Sequence, residues 1–283
     1  MSKILVTGST GNVGRYVVKH LLERGESVVC TSSQKVPETI EMAENRYFDF
    51  TKPETFQPAL VDVDRVYLMR PPHLGKPEDL YPFIDCMKEK GIKLVSFLSL
   101  MGVENNTIPP HHKIEKYIER SGIPYAHVRP SFFMQNVSGI HAVEIREEDQ
   151  IFIPAGKSLS SFIDAEDIGE ATAVLLHSPE KYANTAHTIT GSESLNYDQI
   201  AAILTKILGR KIMYAKPSLL KYRSVYIKKR KFPKGFVNIT VGLYIMTRLG
   251  AAKQITDTFY QLTGKQPHTF EEFAKRYKSA FQK

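Results

Sequence analysis

The residues best equipped for chemistry stand at the start of the chain, where Thr7-Gly8-Ser9-Thr10-Gly11-Asn12-Val13-Gly14 spaces its glycines as G-x-x-G-x-x-G. Lys3 to Thr7 before them is an apolar run of strand length. From Asn12 onward Val13, Val17 and Leu21 share one face, Val18 and Leu22 widen it, and Gly25 supplies a stop, which predicts a helix. Strand, glycine loop and helix in that order make the fingerprint of a dinucleotide site. Gly8 permits the sharp turn, Gly11 lets a pyrophosphate approach the backbone, and Gly14 lets the helix pack closely on the strand. Amides at the helix start then receive phosphate charge. Residues 8 to 14 are therefore all expected in the cofactor site.

A carboxylate about 20 residues past such a loop would hold the ribose hydroxyls of NAD. The second strand, Ser27 to Thr31, runs instead into Ser32-Ser33-Gln34-Lys35, and the first acid after it is Glu38. Hydroxyls and a lysine suit the 2′-phosphate of NADP, so Ser32, Ser33 and Lys35 are expected to favour NADP(H) over NAD(H). An exposed polar turn is the structural alternative, because a lysine lacks the bidentate fork of arginine.

Other candidates read less specifically. Asp164, Glu166 and Asp167 invite a metal or acid-base reading, yet they open a helical pattern, where carboxylates cap amides and meet the positive end of the dipole. Cys30 and Cys86 form no C-x-x-C pair, so neither a disulfide framework nor a thiolate zinc site is expected. No metal site is expected. A reducing, cytoplasmic setting fits.

The elements that must position the loop follow a βαβ rhythm. Further strands are predicted at Arg65 to Met69, Lys93 to Ser99 and Tyr125 to Arg129, with a weak one near Arg46 to Phe48. Helices fall between them at Asp79 to Lys90 and His112 to Arg120. Beyond Pro130 come short apolar runs at Ile151 to Ile153 and Ser161 to Ile163. Helices then read at Glu166 to His177, Tyr197 to Leu208 and Thr269 to Phe281, with a strand at His187 to Thr190. The expected fold class is α/β, a Rossmann-type doubly wound parallel sheet with a smaller, mainly helical C-terminal region. The expected division is 1–130 for the dinucleotide-binding domain and 131–283 for the substrate side, with the stretch near 160–190 returning to the sheet.

Composition is that of a globular chain: 283 residues, 42% hydrophobic and 24% charged, enough apolar material to bury a core. The net charge of +8 is uneven, since Lys221, Arg223, Lys228, Lys229, Arg230, Lys231 and Lys234 stand within one acid-free stretch. One run carrying nearly all the excess is a poor nucleic-acid signature, so a solvated basic segment or an attractor of anions is expected there. The charge-free stretch from Gly235 to Thr247 is too short for the roughly 20 apolar residues of a membrane span. No membrane partner is expected.

Taken together, the chain resembles the NmrA-like branch of the atypical short-chain dehydrogenase/reductase superfamily, particularly its quinone oxidoreductase, azoreductase and ergot-alkaloid dehydrogenase-like members. The resemblance rests on the loop at 7–14, Asp49-Phe50-Thr51, the run Val66 to Pro72, Ser121 to Tyr125, Arg129 to Asn136, Phe162 to Ile168, Thr190-Gly191 and Leu262 to Pro267. It implies Asp49 and Phe50 near an adenine and Arg70, Pro71 and Pro72 along the cofactor. It places Pro130, Phe132, Phe133 and Asn136 near the nicotinamide, although Phe132-Phe133-Met134 also reads as core.

Conventional members of that superfamily use Tyr-x-x-x-Lys with a serine. Here Ser99 and Lys113 occupy the serine and lysine places, and Pro109 stands where the tyrosine would be. Proton donation would fall to Lys113, to His111 or His112 at an exposed helix start, or to solvent. The resemblance implies an NAD(P)H-dependent reductase acting on a small hydrophobic, conjugated molecule such as a quinone, azo compound or imine. The alternative is a non-catalytic NADP(H)-binding redox sensor with a protein partner.

Overall fold

The computed structural model describes residues 2–33, 40 and 42–283. The first part of the chain forms β1 (Lys3–Val6), α1 (Gly14–Glu23), β2 (Val28–Ser32), β3 (Glu44–Tyr47), α2 (Phe56–Ala59) and β4 (Val63–Leu68). Then come α3 (Tyr81–Glu89), β5 (Leu94–Leu98), α4 (Pro110–Ser121), β6 (Tyr125–Pro130) and β7 (Phe132–Phe133). Next are α5 (Gln135–Ser138), α6 (Ala142–Glu148), β8 (Gln150–Ile151), β9 (Ser160–Ile163), α7 (Ala165–His177), α8 (Pro179–Tyr182) and β10 (Thr185–Ile189). The remainder holds β11 (Ser194–Leu195), α9 (Tyr197–Leu208), β12 (Met213–Tyr214), α10 (Leu219–Ser224), α11 (Lys234–Arg248), α12 (Thr258–Thr263), α13 (Phe270–Arg276) and α14 (Lys278–Phe281). Two compact units result, one of residues 1–130, 165–189 and 258–265, the other of 131–164, 190–257 and 266–283.

The first unit is built on a seven-stranded sheet in the order β10-β6-β5-β4-β1-β2-β3. Every neighbouring pair is parallel, so this is the doubly wound Rossmann-type sheet expected from the alternating pattern. Ile4, Leu5 and Val6 are wholly buried, as a central parallel strand covered on both faces requires, which is why β1 reads as an unbroken apolar run. Strand order reverses at β1, which lies between β2 and β4 and so creates the crevice where open α/β sheets bind ligands. Helices α1 and α7 cross closely here, since a Cβ at Gly169 would lie 2.4 Å from Tyr16 Cβ.

β3 and β10 both begin earlier than expected, for identifiable reasons. β3 is the sheet's outer edge, only partly covered, so its sequence alternates weakly and its start at Glu44 is hard to see. β10 begins at Thr185 and pairs with β6 from Thr185↔Ala126 to Ile189↔Pro130, bringing this late segment into the first unit's sheet.

The second unit has a three-stranded sheet, β11-β9-β7, and a two-stranded one, β12-β8, among α5, α6, α9, α10, α11, α13 and α14. Its core gathers Phe162, Tyr197, Ile200, Tyr222, Phe270 and Phe273. The helix expected from Thr269 to Phe281 is broken at Tyr277 into α13 and α14. Thr269 and Glu272 close a capping box at its start, the Thr269 amide donating to the Glu272 carboxylate at 2.8 Å. Asp164, expected at a helix cap, is buried and also accepts from Gln135 Nε2 at 2.8 Å and from Arg276. Among the described residues, no helix is long and apolar enough to cross a membrane.

Candidate nucleotide site

Where β1 ends, the Thr7 hydroxyl donates to the Tyr67 carbonyl at 3.0 Å and accepts the Met69 amide at 3.0 Å. This pair fixes the ends of β1 and β4 together below the crevice. The chain then turns through Gly8 in the left-handed region, φ +61°, and the Gly11 amide donates back to the Gly8 carbonyl at 2.9 Å. Residues 8–13 are consumed by this turn, so α1 starts at Gly14 and not at Asn12. A Cβ on Gly14 would fall 2.1 Å from the Gly8 oxygen. The loop can close on the helix only because that atom is missing.

Ser9 is buried and its hydroxyl donates to the Thr31 carbonyl at 3.2 Å, while Thr31 Oγ1 donates to Val6 O at 3.1 Å, tying the loop to β2. Val13 is likewise buried, whereas Thr10 and Asn12 are exposed. Ser9 and Val13 can therefore meet a phosphate only through their backbone.

A groove of about 500 Å³ opens beside the loop. That size lies within the range of nucleotide and cofactor clefts. Of the expected residues it is lined by Gly8, Thr10, Gly11, Ser32, Ser33, Asp49, Phe50, Pro71 and Pro72. Thr31, Phe48, Thr51, Met69 and His73 also line it and were missed. Each lies next to or close beside an expected residue at a strand end, which is the signal that could have found them. Ser9, Asn12, Val13, Gly14 and Arg70 are not part of the lining. Lys35 and Glu38 lie outside the described residues.

The groove's chemistry is mixed. Asp49 accepts the Thr51 hydroxyl at 2.7 Å and the Thr51 amide at 2.9 Å, and these bonds hold its carboxyl below the usual range. Phe50 stands edge-on to Phe48 at 4.7 Å, giving an apolar wall. Ser32 and Ser33 present hydroxyls at the end of β2, and no carboxylate from that strand end lines the groove among the described residues. Glycine cradle, volume and lining together fit a dinucleotide.

The catalytic candidates are differently placed. Ser99 follows β5, is buried, donates its amide to Val128 O at 2.7 Å, and has a hydroxyl without a hydrogen-bond partner among the described residues. Lys113 is exposed on α4. His111 and His112 lie in the first turn of α4, which begins at Pro110, but both are half-buried and not exposed as expected. His112 Nδ1 donates to Val103 O at 2.9 Å. His111 sits 6.0 Å from the Phe97 ring, and burial, aided by the charge of Arg70, pushes its pKa down to about 4. Arg70 itself turns to the carbonyls of Leu74 and Pro71.

Pro130 ends β6, and its carbonyl accepts the Met101 amide at 3.0 Å. Arg129 beside it is held by Glu115 through bonds of 3.0 and 2.7 Å and by Glu104 at 3.3 Å. Phe132, Phe133 and Asn136 belong to the second unit, where Phe132 and Phe133 pair with Phe162 and Ile163 and Asn136 is exposed. Glu115, Glu119 and His127 bring potential metal-ligating atoms within 4.8 Å of one another. Arg129 on Glu115 and Lys116 on Glu119, at 2.6 Å, already supply the positive charge there.

Comparison with known proteins agrees with this geometry. The model of the NmrA-like family matches residues 1–273. The prestalk A differentiation protein A of Dictyostelium discoideum is 30% identical over 96% of this chain and 91% of its own. The NAD(P)H azoreductase of Xenophilus azovorans is 27% identical over 98% of this chain and 99% of its own. Among solved structures, the NADPH-dependent quinone oxidoreductase of Escherichia coli in complex with NADPH superposes with a TM-score of 0.85 at 20% identity, covering 96% of this chain and 99% of that one.

Proposed function

The chain belongs to the NmrA-like family, and on that footing we propose that it is an NADPH-dependent reductase of small, hydrophobic, conjugated acceptors such as quinones, azo compounds or imines, working in the cytoplasm. The observation that carries the reading is the Gly8–Gly14 cradle opening onto a groove whose β2 end offers Ser32 and Ser33 and, among the described residues, no acid of its own. Relatives named for NAD(P)H-dependent reduction support the reaction class.

In this reading residues 8 to 14 receive the pyrophosphate on the loop backbone and the start of α1. Ser32, Ser33 and Lys35 take the 2′-phosphate. Asp49 and Phe50 flank the adenine, and Arg70, Pro71 and Pro72 border the path toward the nicotinamide. Ser99, Lys113 and Pro130 are assigned to the nicotinamide end. The bound cofactor supplies the hydride.

Proton supply is the weak part of the site, and it narrows the substrate. With its pKa near 4, His111 is neutral at neutral pH and stores no proton to give. Lys113 is exposed, and Pro109 stands where a catalytic tyrosine would be. Acceptors whose reduced forms take protons from water suit such a site better than simple carbonyls do. Following NADPH consumption with a quinone, an azo dye and a conjugated imine tests the proposal. At least one should raise the rate well above that without acceptor; failure of every acceptor would refute it.

A further inference from the structure

The second unit carries a surface that the nucleotide site does not use. Helix α11 buries Val237, Tyr244 and Thr247 on one face. Its other face is also apolar, with Phe236, Ile239, Leu243, Ile245 and Met246 exposed, and Leu249 beyond its end 76% exposed. A helix apolar on both sides needs a covering on both. Between Lys234 and Arg248 the helix itself carries no charged residue.

Charge borders that face closely. No Asp or Glu occurs from Gln199 to Thr256. Lys229 and Arg230 turn to Glu148 and Glu144, but Lys221, Arg223, Lys228, Lys231 and Lys234 remain exposed. Arg223 Nε donates to the Asn238 side chain at 2.8 Å, which ties the basic segment to α11. Phe232 stacks on Phe236 at 5.6 Å, joining the basic segment to the start of α11.

We propose that this face docks on an anionic lipid surface, with Ile239, Leu243 and Met246 entering the headgroup boundary while Lys228, Lys231 and Lys234 meet lipid phosphates. An apolar stripe rimmed by lysines is the pattern of an interfacial helix that lies on a bilayer without spanning it. A second copy docking through the same patch would bring two basic runs together. A nucleic acid would answer the lysines and leave the apolar stripe uncovered. The proposal stands independently of turnover at the nucleotide groove.

The test uses the full chain with vesicles of phosphatidylcholine alone or mixed with phosphatidylserine. Cosedimentation should occur only with the anionic vesicles and fade with added salt. Neutralising Lys228→Gln, Lys231→Gln and Lys234→Gln together should weaken binding by roughly 100-fold, about fivefold for each charge. Ile239→Ser with Leu243→Ser should weaken it at least about tenfold, since each methylene withdrawn from lipid costs about fourfold. The chain has no tryptophan, so Leu243→Trp gives a single reporter whose emission should shift to the blue only on anionic vesicles. Unchanged circular dichroism and thermal melting show that each variant folds. No binding to anionic vesicles, equal binding to neutral ones, or a dimer that disappears on Ile239→Ser without any vesicle binding would each overturn the proposal.

Discussion

A Cβ at Gly14 would stand 2.1 Å from the carbonyl oxygen of Gly8, nearer than any two such atoms can approach. The helix and the loop that precede the groove thus share one narrow contact. Gly14→Ala should push them apart, destabilise the fold by about 1–3 kcal/mol and abolish measurable NADPH binding in calorimetry. Gly75→Ala is the control: nothing lies within 4 Å of its Cβ position, and it should leave both properties unchanged.

Cofactor choice rests on the end of β2. Ser32 and Ser33 line the groove there, and among the described residues no carboxylate from that strand end joins them. Calorimetry should show tighter binding of NADPH than of NADH, and Lys35→Glu should narrow or reverse the difference by placing a negative charge against the 2′-phosphate. Equal affinities in the unmodified chain would contradict this assignment.

Arg129 stands in a stretch whose resemblance to a cofactor-binding family suggests a cofactor role, yet its guanidinium grips Glu115, which is 1% exposed. Arg129→Met should cost about 3 kcal/mol because it strands a buried carboxylate. Pairing it with Glu115→Leu should recover much of that loss in urea denaturation. A single variant as stable as the parent would remove the pair from the account.

His141 in the second unit bonds the Tyr226 hydroxyl at 2.9 Å and the Tyr244 hydroxyl at 3.1 Å, and burial pushes its pKa from 6.5 down to about 3. A neutral imidazole serves both hydroxyls, donating to one and accepting from the other. The unfolded chain binds a proton below pH 6.5 that the folded chain refuses. The contribution of His141 is therefore intact above that value and is lost as pH falls toward the folded value, at about 1.4 kcal/mol per pH unit. His141→Gln should be less stable at neutral pH and show a shallower decline on acidification. An unchanged slope would show that the ring titrates freely.

The sheet and the loop were legible because both leave strong local marks. Ile4 to Val6 of β1, Val66 to Leu68 of β4 and Leu94 to Phe97 of β5 are buried and read as largely apolar runs, and three glycines after β1 admit few structures. β3 was faint because an edge strand with Glu44 and Arg46 on it has little apolar periodicity. The half-burial of His111 was invisible because it depends on Phe97 and Arg70, which are distant in sequence. Met69 and His73 adjoin the expected Arg70 and Pro72, but only the parallel pairing of β4 with β1 brings their segment to the loop, so their place in the lining was visible as proximity alone.

Lys113 separates general-acid help from solvent protonation. Lys113→Met should retain quinone-dependent NADPH oxidation, lowered by about 10-fold to 100-fold, within the span of general acid catalysis. Complete loss with intact NADPH binding would make the lysine indispensable and solvent protonation wrong.

Hydride transfer itself is the claim on which the account stands, and an anaerobic single turnover measures it most directly. The protein is mixed with one equivalent of NADPH and a quinone, and both species are followed. NADPH should disappear as hydroquinone forms in equal amount, much faster than in the absence of protein. Tight NADPH binding with neither species changing would contradict it, and a cofactor sensor without turnover would then be the better description.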